Sequence, residues 1–135
     1  MSSTVWIPDR AGAREHDAIR GMDYVWRPDE AKRQVGWIEK HLQHVKGPEA
    51  GKPIRFEGWQ SDFLSQLYGW RVVGHEYIAR YRRALLEVAR GNGKSTLAAA
   101  IGLRGVTRKA APLVIGAATD REAAGIVFGD AARMV

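Results

Sequence analysis

The sequence predicts an α/β fold, in which a parallel sheet with flanking helices is preceded by N-terminal helices. Two short, mostly apolar runs, Ala84–Ala89 and Leu113–Ala118, are typical of buried strands in a parallel sheet. A helical pattern follows each run, first over Lys94–Arg108 and then from Thr119, which has capping-box spacing to Glu122. The order strand, helix, strand, helix therefore predicts a βαβ unit.

The chain divides into three predicted segments. Residues 1–28 mix charged residues with glycine and proline at no steady period, so we expect a loosely ordered arm. Residues 29–76 are expected to be helical, and residues 77–135 to contain the sheet. The aromatic residues of the arm, which are candidates to dock on a core or on a missing partner domain, are Trp6, Tyr24 and Trp26.

Two amphipathic helices are predicted within residues 29–76. The first is capped by Asp29 and ends at Gly47, and its apolar residues recur at helical spacing. These residues are Ala31, Val35, Ile38, Leu42 and Val45. After a turn and a short extended piece, the second helix carries Trp59, Phe63, Leu64, Leu67 and Tyr68 near one face, and Gly69 ends it.

Composition limits the class of protein. Hydrophobic residues make up 45% of the 135 residues, which is enough for a packed core and too much for a disordered chain. No apolar run is long enough to cross a bilayer and no signal peptide is visible, so we expect a soluble cytoplasmic protein. The absence of cysteine excludes disulfides and thiolate metal sites. A net charge of +6 favours the binding of polyanions, although extra arginines can also be present for solubility alone.

A glycine-rich loop lies between the first predicted strand and the helix that follows it. Gly91 and Gly93 can take positive φ angles, which lets backbone N–H groups crowd around a phosphate. The helix that begins near Lys94 directs its positive end to the same place. This context predicts a Walker A loop for ATP, with Lys94 on the β- and γ-phosphates and Ser95 on Mg²⁺. The predicted nucleotide-binding residues of this loop are Gly91, Asn92, Gly93, Lys94, Ser95 and Thr96.

The loop departs from the general pattern at two positions. Val88 stands where the pattern has a glycine, so a chance Gly-Lys-Ser at a helix start is the alternative. Arg90 adds a second cation where charge develops on a transferred phosphoryl group. It can equally point to solvent or pair with Glu87, and the residues alone leave both interpretations open.

These departures resemble one family. The stretch Leu86–Ser95 is similar to the deviant Walker A of tailed-phage terminase large subunits, in which an arginine commonly replaces a small residue and the first glycine is often missing. The resemblance implies a partial P-loop NTPase fold and an ATPase motor that moves double-stranded DNA into the procapsid. It implies catalytic roles for Arg90 and Lys94, and ATP and Mg²⁺ as cofactors. The implied partners are double-stranded DNA, a terminase small subunit and the portal.

The resemblance extends on both sides of the loop. Upstream, Trp59-Gln60 and Tyr68-Gly69-Trp70 look like the adenine-binding approach of that family, although Gly58 stands where a proline is common. By that likeness Gln60 reads the adenine edge and Trp59 packs near the base. Without it, Gln60 is a surface helix residue and Trp59 a core aromatic. Downstream, Ala117–Ala124 resembles the second core strand and the helix after it.

Other parts of such a motor are not visible in the sequence. No apolar strand ending in paired acids follows Lys94, and nothing resembles the family's nuclease domain. Asp120 and Glu122 are better explained as helix-capping residues. We therefore expect the front part of an ATPase, with little or no hydrolysis by this chain alone. One alternative is a non-catalytic remnant or accessory protein that binds DNA or a motor subunit through its basic surface. Another alternative is a helicase-like ATPase, but Arg90 and the pair Trp59-Gln60 argue against it.

Overall fold

The computed structural model describes residues 22–81, 83–108 and 113–135. The described elements are, in chain order, β1 (Tyr24–Trp26), α1 (Pro28–His41), α2 (Gly58–Gly69), β2 (Trp70–Val72), β3 (His75–Ala79), α3 (Lys94–Thr107) and α4 (Arg121–Arg133). The chain forms two compact units. The described part of unit 1 comprises residues 22–36, 56–81 and 83–89, and that of unit 2 comprises residues 37–55, 90–108 and 113–135.

Unit 1 is organised around a three-stranded antiparallel sheet of order β1-β2-β3. Trp26 of β1 is paired with Trp70 of β2, and the two indole rings pack at a centroid distance of 5.5 Å. The residue before β2 is Gly69, where a Cβ atom would overlap the six-membered ring of Trp26. This close approach requires a glycine at the end of α2, in addition to the helix-ending role that the sequence predicts for it.

Buried charged groups connect the helix and sheet of unit 1. Arg71 of β2 donates to Glu30 of α1 at 2.9 Å, and Gln34 donates to the same carboxylate at 2.6 Å. Arg80, which follows β3, is also buried, and its guanidinium lies about 5 Å from the centroids of three aromatic rings. Those rings are Tyr24, Trp70 and Tyr81. Each charge is thus placed where an anion or a ring face compensates for lost hydration.

Unit 2 is built on the packing of α3 against α4. Leu97, Ala99 and Ala100 supply the buried face of α3, and the small alanines permit close helix approach. The loop between residues 42 and 54 turns at Gly47 and Gly51, both with positive φ. The loop is joined to the end of α4 because Gln43 N–H donates to the carbonyl of Met134 at 3.0 Å. That bond also explains why α1 ends at His41, earlier than the predicted end at Gly47.

The prediction of a parallel sheet is wrong for the described residues. Neither Ala84–Ala89 nor Leu113–Ala118 is a strand, and most of their side chains are exposed, with Leu113 at 83% and Ile115 at 79%. A β-strand exists only where a neighbouring strand accepts and donates its backbone hydrogen bonds, and the sheet in the described part of the chain consists of β1, β2 and β3. Val114 lies against Gly102 and Gly105 of α3 instead. The mixed α and β content is confirmed.

The strands that do form were not predicted. β2 and β3 make a hairpin whose two-residue turn is Val73-Gly74, with Gly74 at φ 76°. A glycine in a two-residue connection between Val- and Tyr-containing runs is the signal that could have identified this hairpin. β1 falls within the predicted irregular arm of residues 1–28, of which residues 1–21, including Trp6, lie outside the described residues. Trp26, one of the aromatic residues that were candidates to dock on a core, is half-buried and packs on Trp70 of β2.

Candidate phosphate-binding loop

The loop before α3 has the backbone conformation that its glycines predict. Gly91 has φ 90° and Gly93 has φ 72°, both in the left-handed region that side-chain-bearing residues rarely adopt. A Cβ at Gly91 would meet no atom within 4 Å, so the backbone angle and not crowding selects glycine there. Residues Arg90, Gly91 and Asn92 are exposed, which places the loop at the surface of unit 2.

The helix that follows presents its N-terminal end at the same place. Gly93 occupies the N-cap position of α3 and, among the described residues, no side chain caps this helix end. The first turn contains Lys94 and no acidic residue. The first amides of a helix have no partner within the helix, and the helix dipole makes that end positive. An exposed helix end of this kind, next to two left-handed glycines, binds anions well.

The predicted side chains follow in order along the first turn. Lys94 is exposed, whereas Ser95 and Thr96 are half-buried. Leu97 is buried and fixes the turn to the core of unit 2, and its amide makes the first helical hydrogen bond, 2.9 Å to Gly93 O. The arrangement therefore combines an exposed ammonium group with two hydroxyls on a rigid helix start. These groups can bind an anion that has several oxygens, and one of the hydroxyls can ligate a hard cation.

No group of three or more His, Asp or Glu side chains that could hold a metal occurs within residues 22–81, 83–108 and 113–135. Ser95 thus stays a predicted Mg²⁺ ligand that depends on the phosphate oxygens for the rest of the coordination. Asp120 has a structural role, since its Oδ1 accepts from Ala123 N–H at 2.7 Å and caps α4. This corrects the predicted capping residue of that helix from Thr119 to Asp120, and the prediction that Asp120 is a capping residue is confirmed.

The two residues predicted for the base lie at the start of α2 in unit 1. Trp59 and Gln60 are half-buried, and both contact Glu57, the residue at the N-cap position. The Trp59 indole N–H donates to Glu57 Oε2 at 2.7 Å, and Glu57 N–H donates to Gln60 Oε1 at 3.0 Å. Glu57 was not among the predicted site residues. Its position three residues before a glutamine at a helix start is the signal that could have done so.

A left-handed glycine pair at a helix N-terminus with a lysine in the first turn is an arrangement that suits the binding of an anion. Comparison with known proteins gives the family. The model of the terminase large subunit ATPase domain family matches residues 58–135, and the chain therefore belongs to that family. The resemblance to tailed-phage terminase large subunits is confirmed.

One relative extends the comparison upstream of the family match. The chain is 32% identical over 107 residues to a protein of Enterobacteria phage HK97 described as "Terminase, large subunit". The aligned part is 77% of this chain and 20% of the phage protein, so the chain spans about a fifth of that relative's length. No solved structure matches the chain. Within the described residues, none of the helices has the length and apolar character that crossing a membrane requires.

Proposed function

We propose that this chain holds the phosphates of Mg-ATP at the loop Arg90–Gly93 and the N-terminal end of α3, as the ATP-binding part of a terminase large subunit. The observation that carries the proposal is the left-handed backbone at Gly91 and Gly93 directly before an exposed helix start. Such a backbone groups N–H donors on one side, where an anion adds to the favourable end of the helix dipole.

Each residue of the loop then has a distinct role. Lys94 contacts the β- and γ-phosphates and Ser95 binds Mg²⁺, while the amides of Asn92 and Thr96 complete the cradle. Arg90, an exposed residue of the same loop, stabilises the negative charge that develops on the γ-phosphoryl group. Trp59 and Gln60 contact the adenine base. ATP supplies the free energy of phosphoryl transfer, and this chain binds and orients the nucleotide.

The cellular role follows from the family. We infer that the full-length protein converts ATP hydrolysis into movement of double-stranded DNA into a procapsid, in the cytoplasm of a bacterial host. Membership of the terminase large subunit ATPase family and the net charge of +6 support this role. A terminase small subunit and a portal are the implied protein partners.

The proposal is tested by titrating the chain with Mg-ATP and measuring the heat of binding. Lys94→Ala removes charge-assisted hydrogen bonds and is expected to weaken Mg-ATP about 10- to 100-fold. Lys52→Ala is the matched control, because Lys52 is an exposed lysine of the same unit that is paired with Glu49. Equal affinities for Lys94→Ala and wild type, or no binding by wild type, would contradict the proposal.

Hydrolysis by this chain alone is expected to be slow or undetectable. A water-orienting acid and an aspartate for Mg²⁺ are needed besides the phosphate cradle, and the sequence has no apolar strand ending in paired acids after Lys94. Release of inorganic phosphate measures this directly. Steady turnover that Lys94→Ala abolishes would show the expectation to be wrong.

A second candidate is an accessory protein that binds DNA or a motor subunit through its basic surface. The observation in its favour is that Lys46 and Arg133 of unit 2 keep 58% and 61% of their side-chain surface exposed. This function predicts DNA binding that falls steeply with salt and is indifferent to Lys94→Ala. Gel-shift titrations of wild type and Lys94→Ala at two salt concentrations separate it from the ATP-binding function.

A further inference from the structure

Glu57 contacts both of the residues predicted to meet the adenine base. Its carboxylate accepts from the indole N–H of Trp59 at 2.7 Å. Its backbone N–H donates to the side-chain oxygen of Gln60 at 3.0 Å. Glu57 itself is extended, with φ −65° and ψ 158°, and α2 begins at the next residue. One residue therefore restrains two neighbouring side chains from a fixed helix start.

The hydrogen bond to Gln60 determines which end of its amide faces outward. A backbone N–H can be satisfied only by the amide oxygen, so the oxygen of Gln60 lies toward Glu57. The amide NH₂ then lies on the opposite side and can donate to a ligand. A donor in this position suits an acceptor atom, such as a ring nitrogen of a purine.

The bond to Trp59 is not required for helix capping. A serine at the same N-cap position would cap the first turn of α2 equally well, because capping needs only a short acceptor side chain. The longer carboxylate of glutamate reaches the indole N–H, which a serine hydroxyl is too short to do. Holding an indole by its polar atom restrains its ring, and a restrained ring loses less freedom when a base stacks on it.

We propose that Glu57 is a positioning residue for nucleotide recognition, which holds the Trp59 ring in place and turns the amide NH₂ of Gln60 toward a ring nitrogen of the base. The proposal rests on the proposed function, in which Trp59 and Gln60 contact adenine. Glu57 does not touch the nucleotide. It acts by reducing the freedom that the two contacting side chains lose on binding.

The test compares two variants and two ligands. Glu57→Ser keeps the helix cap and loses the bond to Trp59, whereas Glu57→Gln keeps an acceptor for the indole and also removes the charge. The ligands are Mg-ATP and magnesium tripolyphosphate, which has the phosphates and no base. We expect Glu57→Ser to bind Mg-ATP about 5- to 10-fold more weakly, the equivalent of about one hydrogen bond. We expect its tripolyphosphate affinity to be unchanged, and Glu57→Gln to bind ATP as wild type does.

The outcomes separate this inference from the proposed function. Unchanged ATP affinity in Glu57→Ser, or an equal loss for both ligands, overturns the role of Glu57 while ATP binding by the chain stands. Failure of wild type to bind either ligand, or tripolyphosphate binding indifferent to Lys94→Ala, overturns the proposed function and this inference with it. The indole ¹H–¹⁵N resonance of Trp59 gives a readout without any ligand. It must shift in Glu57→Ser and stay close to wild type in Glu57→Gln, and the opposite pattern also overturns the inference.

Discussion

The two units bury side chains of opposite charge. Unit 1 buries cations, since Arg71 is 3% exposed and Arg80 is 5% exposed. Unit 2 buries an anion, Asp130, which is 1% exposed and accepts from two mostly exposed cations. Those cations are Lys46, at 2.8 Å, and Arg133, at 3.0 Å.

This contrast shows that the net charge of +6 is not all available to a polyanion. Arg71 and Arg80 are occupied by a carboxylate and by aromatic rings, so they contribute to the stability of unit 1. The two cations of unit 2 that pair with Asp130 keep more than half of their side-chain surface exposed, and the same unit carries the exposed residues Arg90 and Lys94. Charge that serves binding is therefore expected to be concentrated in unit 2.

The largest expected effect on stability comes from breaking the buried pair of unit 1. Glu30→Ala leaves the guanidinium of Arg71 without its carboxylate partner at a site that water reaches poorly, and is expected to lower the free energy of unfolding by about 3 kcal/mol. Urea denaturation measures the change. Glu49→Ala is the control, because its pair with Lys52 is exposed on both sides and is worth about 0.5 kcal/mol or less. Equal effects would mean that the burial of Arg71 is energetically unimportant.

A second substitution tests how tightly unit 1 is packed around its aromatic residues. Gly69→Ala places a methyl group within the Trp26 ring and is expected to destabilise by about 2 kcal/mol. Gly36→Ala is the matched control in an exposed helix position where a Cβ meets no atom within 4 Å, and it is expected to stabilise by up to about 1 kcal/mol. The two melting temperatures should move in opposite directions. A neutral Gly69→Ala would show that the Trp26 ring can move away.

Removing the buried anion of unit 2 is expected to cost less than removing Glu30. Asp130→Ala loses its bonds to Lys46 and Arg133, but both cations are then hydrated where they are, so about 1.5 kcal/mol is expected. Urea denaturation of Asp130→Ala and Glu30→Ala under the same conditions decides the matter. A larger loss for Asp130→Ala would reverse the comparison between the units.

The smallest expected effect on stability accompanies a large effect on binding. Gly93→Ala forces a side chain into the left-handed region, which costs about 1 kcal/mol. Because the same change distorts the candidate phosphate loop, Mg-ATP affinity is expected to fall at least as much as in Lys94→Ala. Gly125→Ala, in α4 of the same unit and with no atom near its Cβ, should leave ATP affinity unchanged. Wild-type affinity in Gly93→Ala would argue against a backbone cradle at this loop.

Local signals predicted the helices well. α2 and α3 were expected from apolar periodicity and from the glycines at their ends, and they occur at Gly58–Gly69 and Lys94–Thr107. The positive φ angles of Gly91 and Gly93 were expected for the same local reason. The strand predictions failed because an apolar run does not show which other segment will pair with it. Ala84–Ala89 has the composition of a strand but is not a strand in the part of the chain that the structure describes, whereas Tyr24–Trp26, three strand-favouring residues within a stretch of no steady period, pairs with β2.

In the candidate site, too, the local features were predicted from the sequence, whereas contacts between distant residues were not. The sequence alone determined the loop Arg90–Gly93, the helix that starts at Lys94 and the family resemblance, because glycine backbone freedom and helix capping act between near neighbours. Only the tertiary structure decided that β1 joins the sheet of unit 1, that Arg80 is enclosed by aromatic rings and that Asp130 holds Lys46. The contacts of β1 with β2, of Arg80 with Tyr24 and of Asp130 with Lys46 join residues far apart in the chain, and the free energy that forms them depends on which surfaces are buried together.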